Sequence, residues 1–150
     1  MSLKEQISAK LKESMKAGDA AKVSVFRMLI AAINNKEIAK QQQGKESALT
    51  DEETLQLFMG EAKKRKEAAD AFQKGNRPEL AEKEKGELAL IQEFLPEQMS
   101  AEEVEKIVGG IISKLETKEI GPVMKEVMKE LRGKADSSMV SEAVRKKLSG

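Results

Sequence analysis

Three tetrads in this chain set a hydroxyl residue three positions ahead of a glutamate and open a run of apolar residues at helical spacing. The tetrads are Ser2-Leu3-Lys4-Glu5, Thr50-Asp51-Glu52-Glu53 and Ser100-Ala101-Glu102-Glu103. In such a capping box the hydroxyl accepts a backbone N–H of the first helical turn and the glutamate reaches back to the N–H of the cap. Two donors that the helix itself leaves orphaned are thereby satisfied. The pattern is peculiar to helix N-termini, and it commits the chain to α structure at its start, its middle and the opening of its last third.

The stretches between these signals agree with them. Leu3, Ile7, Leu11 and Met15 stand four apart, and Gly18 closes that helix. Asp19 caps a second helix with an apolar face of Val23, Phe26, Ile30 and Ile33, before the polar break Gln41-Gln42-Gln43-Gly44-Lys45. The third helix carries Leu55, Phe58, Ala62, Ala69 and Phe72 and ends at Gly75. Pro78 suits the first turn of a fourth, with Leu80, Leu88, Ile91 and Leu95, which stops before Pro96. Shorter elements follow: Val104, Ile107, Val108, Ile111 and Leu115 on one helix, and Val123, Met124, Val127, Met128 and Leu131 on another opened by Gly121-Pro122 and closed by Gly133. Asp136 caps the last, with Met139, Val140, Val144 and Leu148. No segment alternates apolar and polar residues long enough to read as a strand, and no fixed-period repeat is visible. The spacing predicts an all-α chain: a four-helix N-terminal domain over residues 1–96 and a small three-helix C-terminal domain over residues 97–150.

Composition then narrows the chemistry. The 150 residues include no His, Cys, Tyr or Trp. General acid–base work near neutral pH most often uses histidine, and thiolate nucleophiles and soft metal sites need Cys or His. The expectation is a chain that binds something rather than one that transforms it, with no catalytic residue, no cofactor and no metal. With no cysteine there is no disulfide framework, which suits a reducing cytoplasm. The start lacks the apolar core of a signal peptide, and no apolar run approaches the roughly 18 residues of a membrane span. Lys and Arg total 27 against 26 Asp and Glu, a net charge of +1, so any attraction to a polyanion must come from local clustering.

Two constellations carry that possibility. Gly133-Lys134-Ala135-Asp136 links the last two helices. As structure, it is a left-handed helix stop followed by an N-cap, and this is the heavier reading. As function, the tight turn presents Lys134 and nearby backbone N–H groups to a phosphate. Arg132, Arg145, Lys146 and Lys147 make the same region basic, although cations also complement the dipole at a helix C-terminus. The four phenylalanines, Phe26, Phe58, Phe72 and Phe94, all read as core, which leaves no base-stacking platform and favours a shape-and-phosphate mode. Elsewhere, Arg27 and Arg65 fall on or beside apolar faces, as do Glu84 and Glu87. The prediction is an ion pair of Arg27 or Arg65 with Glu84 or Glu87 that fixes helix register, in preference to an anion site in a cleft. Glu84 and Glu87 share one helical face, but a di-metal helical site also uses Glu-x-x-His, which a chain without histidine cannot supply. There is no Walker loop, dinucleotide fingerprint or nucleophile elbow.

Several motifs in one order resemble a known family. They are Ser24-Val25-Phe26-Arg27-Met28-Leu29, Arg65-Lys66-Glu67-Ala68-Ala69-Asp70-Ala71-Phe72, Arg77-Pro78-Glu79-Leu80, Phe94-Leu95-Pro96-Glu97-Gln98 and Gly133-Lys134-Ala135-Asp136. Nearly end to end the chain resembles the YqeY family, relatives of the C-terminal tail of GatB, a subunit of the tRNA-dependent amidotransferase. The resemblance implies a helical N-terminal domain and a C-terminal domain akin to the module with which GatB contacts tRNA. It matches Gly133 to Asp136 to the family's Gly-Lys-Ala-Asp motif, and Gly121 and Met124 to a Gly-x-x-Met element. Pro122 stands where lysine is expected, which weakens a phosphate contact there. Arg132, Gly133, Lys134, Arg145 and Lys146 are the expected tRNA contacts. A second expectation, of a different class, is a helical adaptor that docks an amidotransferase or synthetase, with Met124, Met128 and Met139 as an adaptable surface, although core packing explains those residues more simply. Carbon–nitrogen ligase activity with glutamine as amido-N-donor is not carried over, because in GatB that chemistry belongs to a large catalytic domain absent from this chain.

Overall fold

A computed structural model describes residues 2–150. Among them are seven helices and no strand: α1 Leu3–Ala17, α2 Ala20–Gln42, α3 Asp51–Lys74, α4 Pro78–Gln92, α5 Ala101–Lys114, α6 Ile120–Leu131 and α7 Ser137–Ser149.

The helix starts follow the caps. Ser2 and Thr50 form complete capping boxes with Glu5 and Glu53. At α5 the Ser100 hydroxyl accepts from the Glu103 N–H at 3.2 Å, but the Glu103 carboxylate is met at 3.3 Å by that same hydroxyl rather than by the backbone of the cap. Asp19 and Asp136 cap α2 and α7 through their side chains, and Pro78 occupies the first turn of α4. α6 opens one residue before Gly121, behind Glu119, which makes no side-chain cap.

Two local expectations need correction. Met15 is 51% exposed and Ser14 is buried in its place, with its hydroxyl donating to Lys10 O at 2.8 Å. The cause is helical drift: at 3.6 residues per turn each step of four advances about 40°, so three steps carry Met15 roughly 120° away from Leu3. The polar break begins later than Gln41, because glutamine is a good helix former and α2 continues through Gln42. α3 ends at Gly75 as expected, with φ −82° there and the left-handed residue one position on, Asn76 at φ 58°.

The chain divides into two compact units, Met1–Leu95 and Pro96–Gly150. In the first, Ile7 of α1, Val25, Phe26, Leu29 and Ile33 of α2, Phe58 and Ala62 of α3, Ile91 of α4 and Phe94 beyond it form one buried cluster. Phe94 meets Phe26 edge-on at 5.7 Å between ring centroids and Phe58 at 6.1 Å. Phe72 is half-buried and stands outside that cluster. At the far end of α2, Lys40 Nζ donates to Ala48 O at 3.1 Å and to Glu53 Oε1 at 3.0 Å, which ties the 43–50 loop to the start of α3. The Lys40 hydrogen bond, with a backbone N–H from Thr50, holds the Glu53 carboxyl below its ordinary pKa.

The second unit is built on three ladders with a step of four: Val104, Val108 and Ile112 of α5; Val123, Val127 and Leu131 of α6; Val140 and Val144 of α7. Ala143 and Ala135 complete the buried set. Met124, Met128 and Met139 are half-buried and pack against this core.

Candidate nucleic-acid interface

The turn between α6 and α7 is tied down residue by residue. Gly133 sits at φ 81°, in the left-handed region where a Cβ would crowd the backbone, and so turns the chain out of α6. The Lys134 N–H donates to Leu131 O at 2.9 Å. Gln98 Nε2 donates to Gly133 O at 2.8 Å and to Pro96 O at 2.8 Å, and the Met99 N–H donates to Lys134 O at 2.9 Å. Ala135 is 3% exposed and belongs to the core, and Asp136 Oδ1 accepts from the Ser138 N–H at 3.2 Å. What the turn leaves outside is the Lys134 side chain, which is exposed. The N–H of Lys134 is spent within the fold, so this residue offers an anion its ammonium and not its amide.

Replacing Gly133 by alanine should therefore cost the second unit about 1–2 kcal/mol, the usual penalty for an L-residue in the left-handed region. Urea unfolding of the variant followed by circular dichroism measures it, and an unchanged midpoint would show that the turn relaxes freely.

The five expected cations do not form one cluster. Arg132, exposed at the end of α6, adjoins Lys134 in sequence. Arg145 lies on α7 about 12 Å along the helix axis from Ser137, at 1.5 Å per residue. Lys146 Nζ is 3.0 Å from Glu105 Oε1 of α5. The stem of Lys147 lies over Gly109, where a Cβ would sit 3.6 Å from Lys147 Cε. The exposed cations thus run from Arg132 and Lys134 at one end of α7 to Arg145, Lys146 and Lys147 at the other. The sequence did not reveal the part played by Gln98 and Met99. Both belong to the Leu95–Met99 stretch, and their bonds to the turn span some 35 residues.

In the first unit, Arg65 of α3 gathers three carboxylates. Its Nε lies 3.1 Å from Glu87 Oε2 and 3.8 Å from Glu84 Oε2, both on α4, and its Nη2 lies 3.3 Å from Glu61 Oε2. The guanidinium also touches Met28 Sδ of α2. Arg65 Nε and Glu84 Oε2 are buried without an aligned hydrogen bond, so these contacts are electrostatic. Arg27 is exposed and stands outside this group. Glu61 was not expected here, although its i, i+4 spacing to Arg65 on one helix face is a readable signal. The arrangement locks α3 against α4 and pairs no nucleophile with a base.

Comparison with known proteins matches residues 4–148 to the family model described as Yqey-like protein. An uncharacterized protein of Schizosaccharomyces pombe is 32% identical over 98 residues, covering 65% of this chain and 76% of that one. The protein named Altered inheritance of mitochondria protein 41, mitochondrial, from Vanderwaltozyma polyspora is 29% identical over 143 residues, covering 89% of this chain and 75% of its own length. Its namesake in Saccharomyces cerevisiae strain YJM789 is 31% identical over 130 residues, with 83% and 68% covered. No helix of the described residues is long and apolar enough to cross a membrane. On the extent of the family match, the chain belongs to the YqeY family.

Proposed function

We propose that this chain is a non-catalytic accessory module of tRNA metabolism, associated with tRNA-dependent amidotransferase. In this reading its two units act as separate helical domains and the second engages tRNA phosphates. Lys134 is the principal contact, with Arg132 beside it and Arg145 further along α7. The observation that carries the reading is the exposed Lys134 side chain on a turn whose backbone is fixed by Gln98, Met99 and Leu131. Such a cation is presented in one place, and no described contact of the fold engages its charge. All four phenylalanines belong to the first unit, so contact of the second with the phosphate backbone is favoured over base stacking.

Salt dependence tests this. Binding of a tRNA transcript should weaken linearly in log–log terms as salt rises, and Lys134→Ala should weaken it several-fold while reducing the slope by about 0.9, one phosphate contact. Circular dichroism of the variant should be unchanged. No binding at low ionic strength, or a Lys134→Ala variant that binds like the parent, sinks the proposal.

A second reading, a helical adaptor that docks a protein, is the less favoured because Met124, Met128 and Met139 are half-buried against the core. The proposed compartment is the cytoplasm. The yeast relatives carry "mitochondrial" in their names, and fractionation of cells producing the tagged full chain separates the two.

A further inference from the structure

We infer that Glu105 gates the basic end of α7, holding Lys146 away from RNA so that the chain binds with fewer cations than its sequence offers. The inference rests on the RNA-binding reading above and deepens it by assigning a regulating residue to the same surface.

Lys146 is one of three consecutive cations, Arg145, Lys146 and Lys147, and by sequence alone all three count toward a polyanion site. Their surroundings differ. Lys146 borders a groove of about 180 Å³ between α5 and α7, which is lined also by Glu105 and Glu142 and floored by Met139 and two alanines. Its ammonium lies 3.0 Å from Glu105 Oε1. A phosphate can reach that ammonium only by displacing the Glu105 carboxylate, whereas Glu142 lines the groove without pairing with Lys146 in a described contact. Arg145 carries no such burden: it is exposed, and its one described contact is a backbone carbonyl that accepts from the Ser149 hydroxyl.

The Glu105–Lys146 pair is solvent-accessible, with side-chain exposures of 36% and 69%, so it is weak and exchangeable. That is what a gate requires. Neutralising Glu105 leaves Lys146 in place and frees its charge. The same change far from Lys146 would raise affinity only through the general field of the protein.

The experiment is a double-mutant cycle in the full chain, read as affinity for a tRNA transcript across a salt series. Glu105→Gln should tighten binding about 3- to 5-fold and steepen the log–log salt slope by about 0.9, the signature of one added phosphate contact. Lys146→Ala alone should leave binding unchanged within 2-fold, whereas Lys146→Ala in the Glu105→Gln background should abolish the gain. Glu142→Gln, which removes an equal charge from the same groove, should leave the slope unaltered. A Glu105→Gln gain that survives Lys146→Ala, or that Glu142→Gln reproduces in full, overturns the gate. If Lys134→Ala weakens binding while Glu105→Gln changes nothing, this inference alone fails. If the parent chain binds no tRNA, both readings fail together.

Discussion

Phe26→Ala is expected to remove about 3–5 kcal/mol from the stability of the first unit and to leave the second unit's protection from exchange unmoved. Phe26 is 2% exposed and lies at the meeting point of the N-terminal core. Its ring packs against Phe94, which in turn packs against Phe58, so three rings from α2, α3 and the segment after α4 interlock. Truncation removes the transfer free energy of the side chain and leaves a void between rings that cannot close without moving helices, which is why such changes fall in the 3–5 kcal/mol range. Hydrogen exchange locates the loss, since local openings report which segments share a cooperative unit. Protection should fall across α1–α4 and persist at Val104, Val127 and Val140. A uniform loss along the whole chain would mean that the two units do not behave as separate domains. A cost below about 1 kcal/mol would mean that the site repacks, as tolerant cores do.

How far such a core can be read from sequence depends on how many neighbours a helix has. α5, α6 and α7 are short, and each buries one narrow stripe: Val123-Val127-Leu131 follows from spacing, whereas α5 buries Ile112 with Val104 and Val108 and leaves Ile107, Ile111 and Leu115, which the spacing offered, at the edge. α2 runs for 23 residues, and its buried set is Val25, Phe26, Leu29 and Ile33, with Val23 and Ile30 at the edge. A stripe on a long helix that touches several partners is wider than one period can describe, and the period alone cannot say where its centre lies. Met15 shows the same limit from the other side, since a run of fours drifts off any straight seam. Helix starts were legible because a cap is a local bargain between neighbours in sequence, as at Ser2, Asp19, Thr50 and Asp136.

The candidate interface divides along the same line. That Lys134 stands in a tight turn between helices is written in Gly133 and Asp136, whose roles are local. That the turn is clamped by Gln98 and Met99 is a property of the fold, and nothing in either segment announces the other. Charge is the hardest to read. Arg145, Lys146 and Lys147 are equivalent as letters, yet one pairs with Glu105 and another lies over Gly109. The sequence counts cations, and the fold decides which of them are spent.

The same distinction governs Arg65, where the second large effect is expected. Arg65→Met should cost the first unit about 2–3 kcal/mol, less than the 3–5 typical of a fully buried pair because the cluster is partly solvated. The Arg65 side chain is 16% exposed, and those of Glu61, Glu84 and Glu87 are 12%, 21% and 23% exposed. Without it, Glu61 of α3 keeps its pair with Lys64 at 3.3 Å, while Glu84 and Glu87 of α4 lose the guanidinium that stands between them and α3. Adding Glu87→Gln to Arg65→Met should return about 1 kcal/mol, a coupling of the size that contacting residues show in double-mutant cycles. Arg65→Lys should fall between parent and Arg65→Met, because a single ammonium cannot reach carboxylates on two helices as a planar fork does. Urea midpoints at fixed pH and low salt give all four values. If Arg65→Met costs less than 1 kcal/mol, the cluster is an exposed ion pair of no consequence. If Glu87→Gln in that background destabilises further, the carboxylates are not in conflict and the guanidinium acts by packing against Met28 instead.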